Sequence, residues 1–241
     1  MDYTLVLTSC GRFDLLDATL ASFRQFADHP PSRVLVTEDS GNEKARVVVA
    51  YHYPDATVFV NDPPLGQIRS IDALYAATET EFVFHCEDDW EFFRTGFLGE
   101  SARLLDAIPA ASMVALRARD DINKLVRNAP VEHEGEIAFF RHDPKLHPEY
   151  FGYAFNPGLR RLSDFRAVGP LSNIGHERET SLAFKKRGQY MISLEEPAVR
   201  HIGDGRHIQE DGNVRPTGVL SRWRRSAEKR IDRFKRWRDG S

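Results

Sequence analysis

Apolar positions along the first ninety residues switch repeatedly between two periods. Residues 3–8 (YTLVLT) form a near-continuous apolar run, the pattern of a strand buried on both faces. Residues 14–26 follow with Leu16, Leu20 and Phe23 at helical spacing, and Asp14 stands where an N-cap is expected. The same alternation predicts strands at 33–37, 57–60 and 81–86. It predicts helices at 43–51 and 66–78, the latter with Ile68, Ile71, Leu74 and Tyr75 on one face. Strands alternating with helices call for a largely parallel sheet covered by helices on both sides. Beyond Trp90 the pattern loosens. A helix is expected at 96–107, strands at 112–117 and 136–141, helices at 163–168 and 177–187, and a last strand at 190–194. Loops rich in Pro, His and Asp lie between them. No internal repeat and no linker interrupts the chain before about residue 203, so one α/β domain is expected over 1–205, with halves 1–90 and 91–205, followed by an extension at 206–241.

Composition changes this picture only at the ends. With 41% hydrophobic and 29% charged residues, the 241-residue chain has the make-up of a soluble globular protein. Its apolar runs are too short to span a bilayer. The first residues carry no basic segment ahead of an apolar core, which predicts a cytoplasmic protein. The two cysteines, Cys10 and Cys86, have no metal-ligand spacing and read as buried reduced thiols. Charge is uneven. Residues 222–238 carry nine Lys or Arg against two acids, +7, which leaves −10 for the rest of a chain whose net charge is −3. Trp223, Phe234 and Trp237 interleave those basic residues, the pattern of a basic amphipathic helix. Such a helix suits an anionic membrane surface at the inner face of the membrane, a packing or oligomer contact, or another anion. The acidic body argues against nucleic acid.

Chemistry concentrates where strands end, and in open α/β sheets ligands bind beyond the carboxyl ends of strands. The first strand runs into Thr8-Ser9-Cys10-Gly11-Arg12, the second into Glu38-Asp39-Ser40-Gly41-Asn42, the fourth into Glu87-Asp88-Asp89. Adjacent carboxylates repel one another, which raises their pKa values or calls for a cation. Hard oxygen ligands at one or two positions suit Mg²⁺ or Mn²⁺ bridged to substrate phosphates.

These segments, in this order, resemble the inverting family 2 glycosyltransferases and their relatives of the GT-A fold. Residues 5–12 resemble the opening strand and nucleotide loop, and residues 36–42 the "DD-x-S" segment. Residues 65–74 with 81–89 resemble the helix and strand that lead into the "DXD" metal motif. The resemblance is close over residues 3–90 and looser to about 203. It implies a GT-A, Rossmann-like, mixed and mostly parallel sheet, with 1–90 as the nucleotide-sugar donor half and 91–205 as the acceptor half. It implies a nucleotide-sugar donor, a UDP-sugar favoured, and a glycan or lipid-linked acceptor.

The resemblance also implies roles. Thr8, Ser9 and Arg12 would line the nucleotide loop. Asp39 or its neighbour Glu38 would accept a hydrogen bond from the base. Arg69 would reach the diphosphate or the base, and Asp88 would lie near the ribose and the metal. Asp89 would be the main metal ligand, with Glu87 in support, although Glu87 stands where the family has an Asp. Residues 173–179 resemble the "G-x-E-D" segment that carries the general base. Arg178 occupies the usual Asp position, which moves the expected base to Glu177, with Glu179 second. Residues 199–207 resemble an "H-x-G" element in which His201, or less well His207, would complete the metal shell. Trp90 would wall the sugar pocket or belong to the core, and residues 151–157 would shape the acceptor site. Two rival readings stand beside this one: an inactive GT-A module that binds a glycan or partner, and a sugar-1-phosphate nucleotidyltransferase. The second would need a Gly-rich basic loop after the first strand, and that loop holds one Gly and Arg12.

Overall fold

A computed structural model describes residues 1–206. The basic segment 222–238 and His207 lie outside the described residues. Strand β1 (Tyr3–Ser9) is buried along its whole length, as its continuous apolar run requires. It lies between β2 (Arg33–Glu38) and β4 (Phe82–Glu87), both parallel to it, and β3 (Thr57–Val60) extends the sheet beyond β2. Helices α1 (Phe13–Phe26), α2 (Lys44–His52) and α3 (Gln67–Ala76) make the crossovers. Phe23 of α1 meets Phe84 of β4 at 5.1 Å between ring centroids, within a large core on one side of the sheet. Tyr75 of α3 packs edge-on to Phe165 at 4.6 Å in a second core.

The second half continues the same sheet, which runs β3-β2-β1-β4-β9-β6-β10-β8-β7. Its strands are β6 (Ala111–Ala115), β7 (Glu132–Glu134), β8 (Ile137–Arg141), β9 (Gly158–Arg161) and β10 (Tyr190–Leu194). Strands β8 and β9 run against the other seven, so the sheet is mixed and mostly parallel. Helices α4 (Phe97–Ala107), α5 (Leu162–Val168) and α6 (Glu177–Lys186) complete the fold, and β5 (Trp90–Phe92) pairs with β11 (Val199–His201) beside the main sheet.

Four strands, β5, β7, β9 and β11, fall where the sequence pattern indicates loops. In β9, Gly-Leu-Arg-Arg has no alternation because its central arginine, Arg160, is buried. Gly158 is required there, since a Cβ would stand 2.3 Å from the Val114 carbonyl of β6. Asp14 is not the N-cap of α1. The helix starts one residue earlier with Arg12 in that position, and Asp14 in the first turn pairs with Arg206 at 2.5 Å.

Candidate active site

The register of the parallel strands builds the site. Ser9 pairs with Glu38, and Thr8 with both Thr37 and Glu87, so the three polar strand ends come to one edge of the sheet. Glu38 is fully buried there and works inside the protein. One of its oxygens accepts the backbone N–H groups of Gly11 at 2.8 Å and Ser40 at 2.9 Å, and the other accepts the Ser9 hydroxyl at 2.8 Å. A single carboxylate thus ties the loop after β1 to the turn after β2, and its full burial keeps it from the surface where a base would bind. Removing it orphans several donors, each costing about 1 kcal/mol or more. Glu38→Ala is therefore expected to lower stability by about 2–4 kcal/mol, measured by urea unfolding. An unchanged midpoint would show that water replaces these bonds.

Asp39 is half-buried and caps the entry to α3. Its Oδ1 accepts the Leu65 N–H at 2.7 Å and the Asn61 amide at 2.9 Å, and its Oδ2 accepts the Gly66 N–H at 2.8 Å. Gly66 has φ +80°, which a side-chain-bearing residue rarely adopts. Arg69 is exposed in the first turn of α3 and has no ion-pair partner among the described residues. Thr8 is buried in the strand ladder.

The acids after β4 diverge. Asp88 is buried and holds the Arg12 guanidinium, and its Oδ2 lies 3.1 Å from the Ser9 hydroxyl. Burial pushes its carboxyl up while Arg12 pulls it down, with a net rise. Arg12 also reaches Asp89 Oδ2 at 2.8 Å, and His201 Nε2 lies 3.2 Å from that same oxygen. Gly203 lets the chain close over Asp89, because a Cβ there would sit 2.6 Å from Oδ2. Glu87 turns the other way and accepts the Gln67 amide at 2.7 Å. Burial, with the nearby Asp89 charge, raises it to about 8. Trp90 is buried rather than open to solvent, with His201 against its ring at 5.1 Å and Arg117 over it at 5.3 Å.

The sequence pattern implies a divalent ion here. Among the described residues no cluster of three or more His, Cys, Asp or Glu side chains could cage one. The donor set fits an ion that takes the rest of its shell from substrate oxygens. Asp89 Oδ1 is buried without a hydrogen-bond partner. The 3.2 Å between Asp89 Oδ2 and His201 Nε2 is close to the roughly 3 Å separating two neighbouring ligands about 2.1 Å from a common ion. Asp89 and His201 meet this test, while Glu87 is seen only to accept the Gln67 amide.

In the second half of the chain, Glu177 opens α6 and accepts the Phe155 N–H at 3.1 Å. Burial raises its carboxyl above the ordinary range, against the pull of Phe155, Arg117 and Arg160. It lies near enough to Glu87 for its charge to help raise that group too. Glu179 differs. Partial burial acts to raise it, but the Arg178 guanidinium prevails and holds it low. The loop over α6 is fastened at four-residue intervals. Glu177 takes Phe155, the Ser181 hydroxyl accepts the Gly152 N–H at 2.9 Å, and Lys185 donates to the Pro144 carbonyl at 2.7 Å and the Pro148 carbonyl at 3.0 Å. The helix face and loop meet closely enough that a Cβ on Gly152 would lie 2.1 Å from the Ser181 carbonyl. Sequence reasoning missed Gln67, Arg117 and Arg160, the groups that orient or oppose these carboxylates. The only signal for Arg160 was an arginine pair, Arg160-Arg161, between Leu159 and Leu162.

No family model matches the sequence, and no curated protein matches it. Solved structures do. The mannosyltransferase PcManGT from Pyrobaculum calidifontis, in complex with GDP-Man and Mn²⁺, superposes with a TM-score of 0.57 at 12% identity, over 81% of this chain and 54% of that one. TarS 1-349 of S. aureus gives 0.56 at 14% identity, over 83% and 59%. GalNAc-T7 with UDP, GalNAc and Mn²⁺ gives 0.59 at 13%, over 90% and 46%. The chain therefore has the GT-A fold, and it spans about half the length of the structures it matches.

Proposed function

We propose that this chain transfers a sugar from a nucleoside-diphosphate donor, a UDP-sugar in preference, to an acceptor hydroxyl, with Mn²⁺ or Mg²⁺ as cofactor. The observation that carries this reading is the placement of Glu177. A half-buried carboxylate with a raised pKa stands across from the acids at the end of β4, on a fold whose solved examples include glycosyltransferases.

In this account Glu177 accepts the proton of the acceptor hydroxyl, held in aim by the Phe155 N–H. Asp89 and His201 would hold the metal, which when bound supplies Lewis-acid stabilisation of the diphosphate leaving group. Arg12 offsets the charge of Asp88 and Asp89 and orients both. Asp39 Oδ2 accepts a single N–H within the protein, which leaves it a lone pair for the imide N–H of uracil. Displacement with inversion follows from the resemblance to family 2. The acceptor is a glycan or a lipid-linked acceptor. No described helix is long and apolar enough to cross a membrane, and the basic segment 222–238 is proposed to meet an anionic membrane surface.

The test is to incubate the protein with UDP-sugars and Mn²⁺ and follow the anomeric proton by NMR. Slow release of UDP and free sugar is expected, with UDP raising the melting temperature more than ADP. UDP binding without any release would favour a binding module instead, and stronger stabilisation by ADP would remove the base-reading role of Asp39.

A further inference from the structure

Arg160 is among the largest fully buried side chains of the protein, and it has no carboxylate partner among the described residues. Its hydrogen bonds go to neutral groups. Nη1 donates to the hydroxyls of Tyr153 at 2.6 Å and Tyr75 at 3.1 Å, Nη2 donates to the Asn156 carbonyl at 2.9 Å, and Nε has no partner. A buried guanidinium without a counter-ion is costly, so a fold that keeps one needs a compensating charge nearby. Because Arg160 only donates, both phenol oxygens accept from it. The Tyr75 hydroxyl is then free to donate to His85 Nδ1, 3.3 Å away. Burial and the Arg160 charge together keep His85 neutral, which agrees with that arrangement.

The carboxylate that feels the Arg160 charge is Glu177. Arg160 sits on β9 opposite Val83 of β4, and with Gly158 opposite His85 the turn before β9 approaches the end of β4 that carries Glu87, Asp88 and Asp89. Arg12 answers Asp88 and Asp89, and Arg117 is shared with Asp121. Glu177 has the Phe155 N–H and no ion pair among the described residues. Arg160 also grips both sides of Phe155, through the Tyr153 hydroxyl and the Asn156 carbonyl, and Phe155 supplies the N–H that holds Glu177. Arg117 secures the same turn from outside, donating to Asn156 Oδ1 at 3.1 Å.

We propose that Arg160 is a positioning residue for Glu177: it clamps the 153–156 turn that aims the carboxylate and supplies the buried positive charge that faces it. The inference rests on the reading of Glu177 as the general base. The groups that bear on Glu177 are the Phe155 N–H, Arg117 and Arg160, which favour its ionised form against burial, and its own charge in turn raises Glu87 of β4 and Tyr150 of the loop.

The experiment follows the Glu177 carboxyl by carbon NMR in protein labelled at the glutamate carboxyls, the signal being assigned by its loss in Glu177→Gln. Arg160→Met is expected to move its titration midpoint up by about one pH unit, Arg160→Lys to restore it, and donor affinity to hold in both. An unmoved midpoint in Arg160→Met would overturn the electrostatic role. Should Arg160→Met not fold, Tyr153→Phe tests the clamp: kcat is expected to fall about fivefold with KM for the donor unchanged, and an unchanged kcat would overturn the proposal. If Glu177→Gln keeps full turnover while the Arg160→Met midpoint still moves, the base assignment fails and the charge pairing stands.

Discussion

Replacing Glu177 by glutamine is expected to lower turnover about a hundredfold or more while leaving donor binding intact, the usual scale for losing a positioned general base. Glutamine keeps the size of the side chain and an oxygen for the Phe155 N–H, so the loop stays docked and only the proton acceptor is lost. The pH dependence carries a second signature. A general base works deprotonated, so turnover rises with pH through its pKa. Burial lifts Glu177, which places that limb above the ordinary carboxylate range, and in Glu177→Gln the limb should vanish. Glu179→Gln is expected to do much less, because Glu179 is tied to Arg178, which holds its pKa down and makes it a weak base. The opposite order of effects in steady-state kinetics would move the role to Glu179, and no effect from either would remove α6 from the chemistry.

The second large effect is expected at Asp89. Asp89→Ala should weaken metal-dependent binding of a nucleoside diphosphate by about a hundredfold or more, the upper end of what even supporting residues of metal sites contribute. Asp89 is the only described carboxylate of the cluster with a buried, unpartnered oxygen beside an imidazole. Glu87→Ala is expected to cost less, since its carboxyl is held by Gln67 and raised to about 8. The fold should survive Asp89→Ala, because Arg12 keeps Asp88 as its ion-pair partner. Near-ultraviolet circular dichroism checks this. Affinity unchanged in the presence of Mn²⁺ would dismiss Asp89 as a ligand.

The first half of the chain was largely legible because its strands are buried on both faces and its helices carry one apolar stripe, so period alone separates them. The convergence of the three polar strand ends followed from that alternation. The second half resisted for a different reason. Strand β9 is polar in sequence yet buried, and strands β5, β7 and β11 are three residues each, too short for a period to register. Within the site, sequence located the acids but not their directions. Glu38, Asp39 and Glu87 look alike as strand-end carboxylates. What separates them is which backbone amides and side chains of distant loops reach each one, a tertiary property that no local pattern encodes. The arginines are the sharpest case. Arg12, Arg117 and Arg160 decide how much negative charge the site can hold, and Arg117 and Arg160 carry no motif.

A uridine nucleotide and a divalent ion are expected to bind together at Asp89. The direct measurement is calorimetric titration of the protein with UDP, once with Mn²⁺ and once with chelator. Binding should be tight with the metal and at least about tenfold weaker without it. Equal affinity in both conditions, or no binding of UDP in either, would contradict the account.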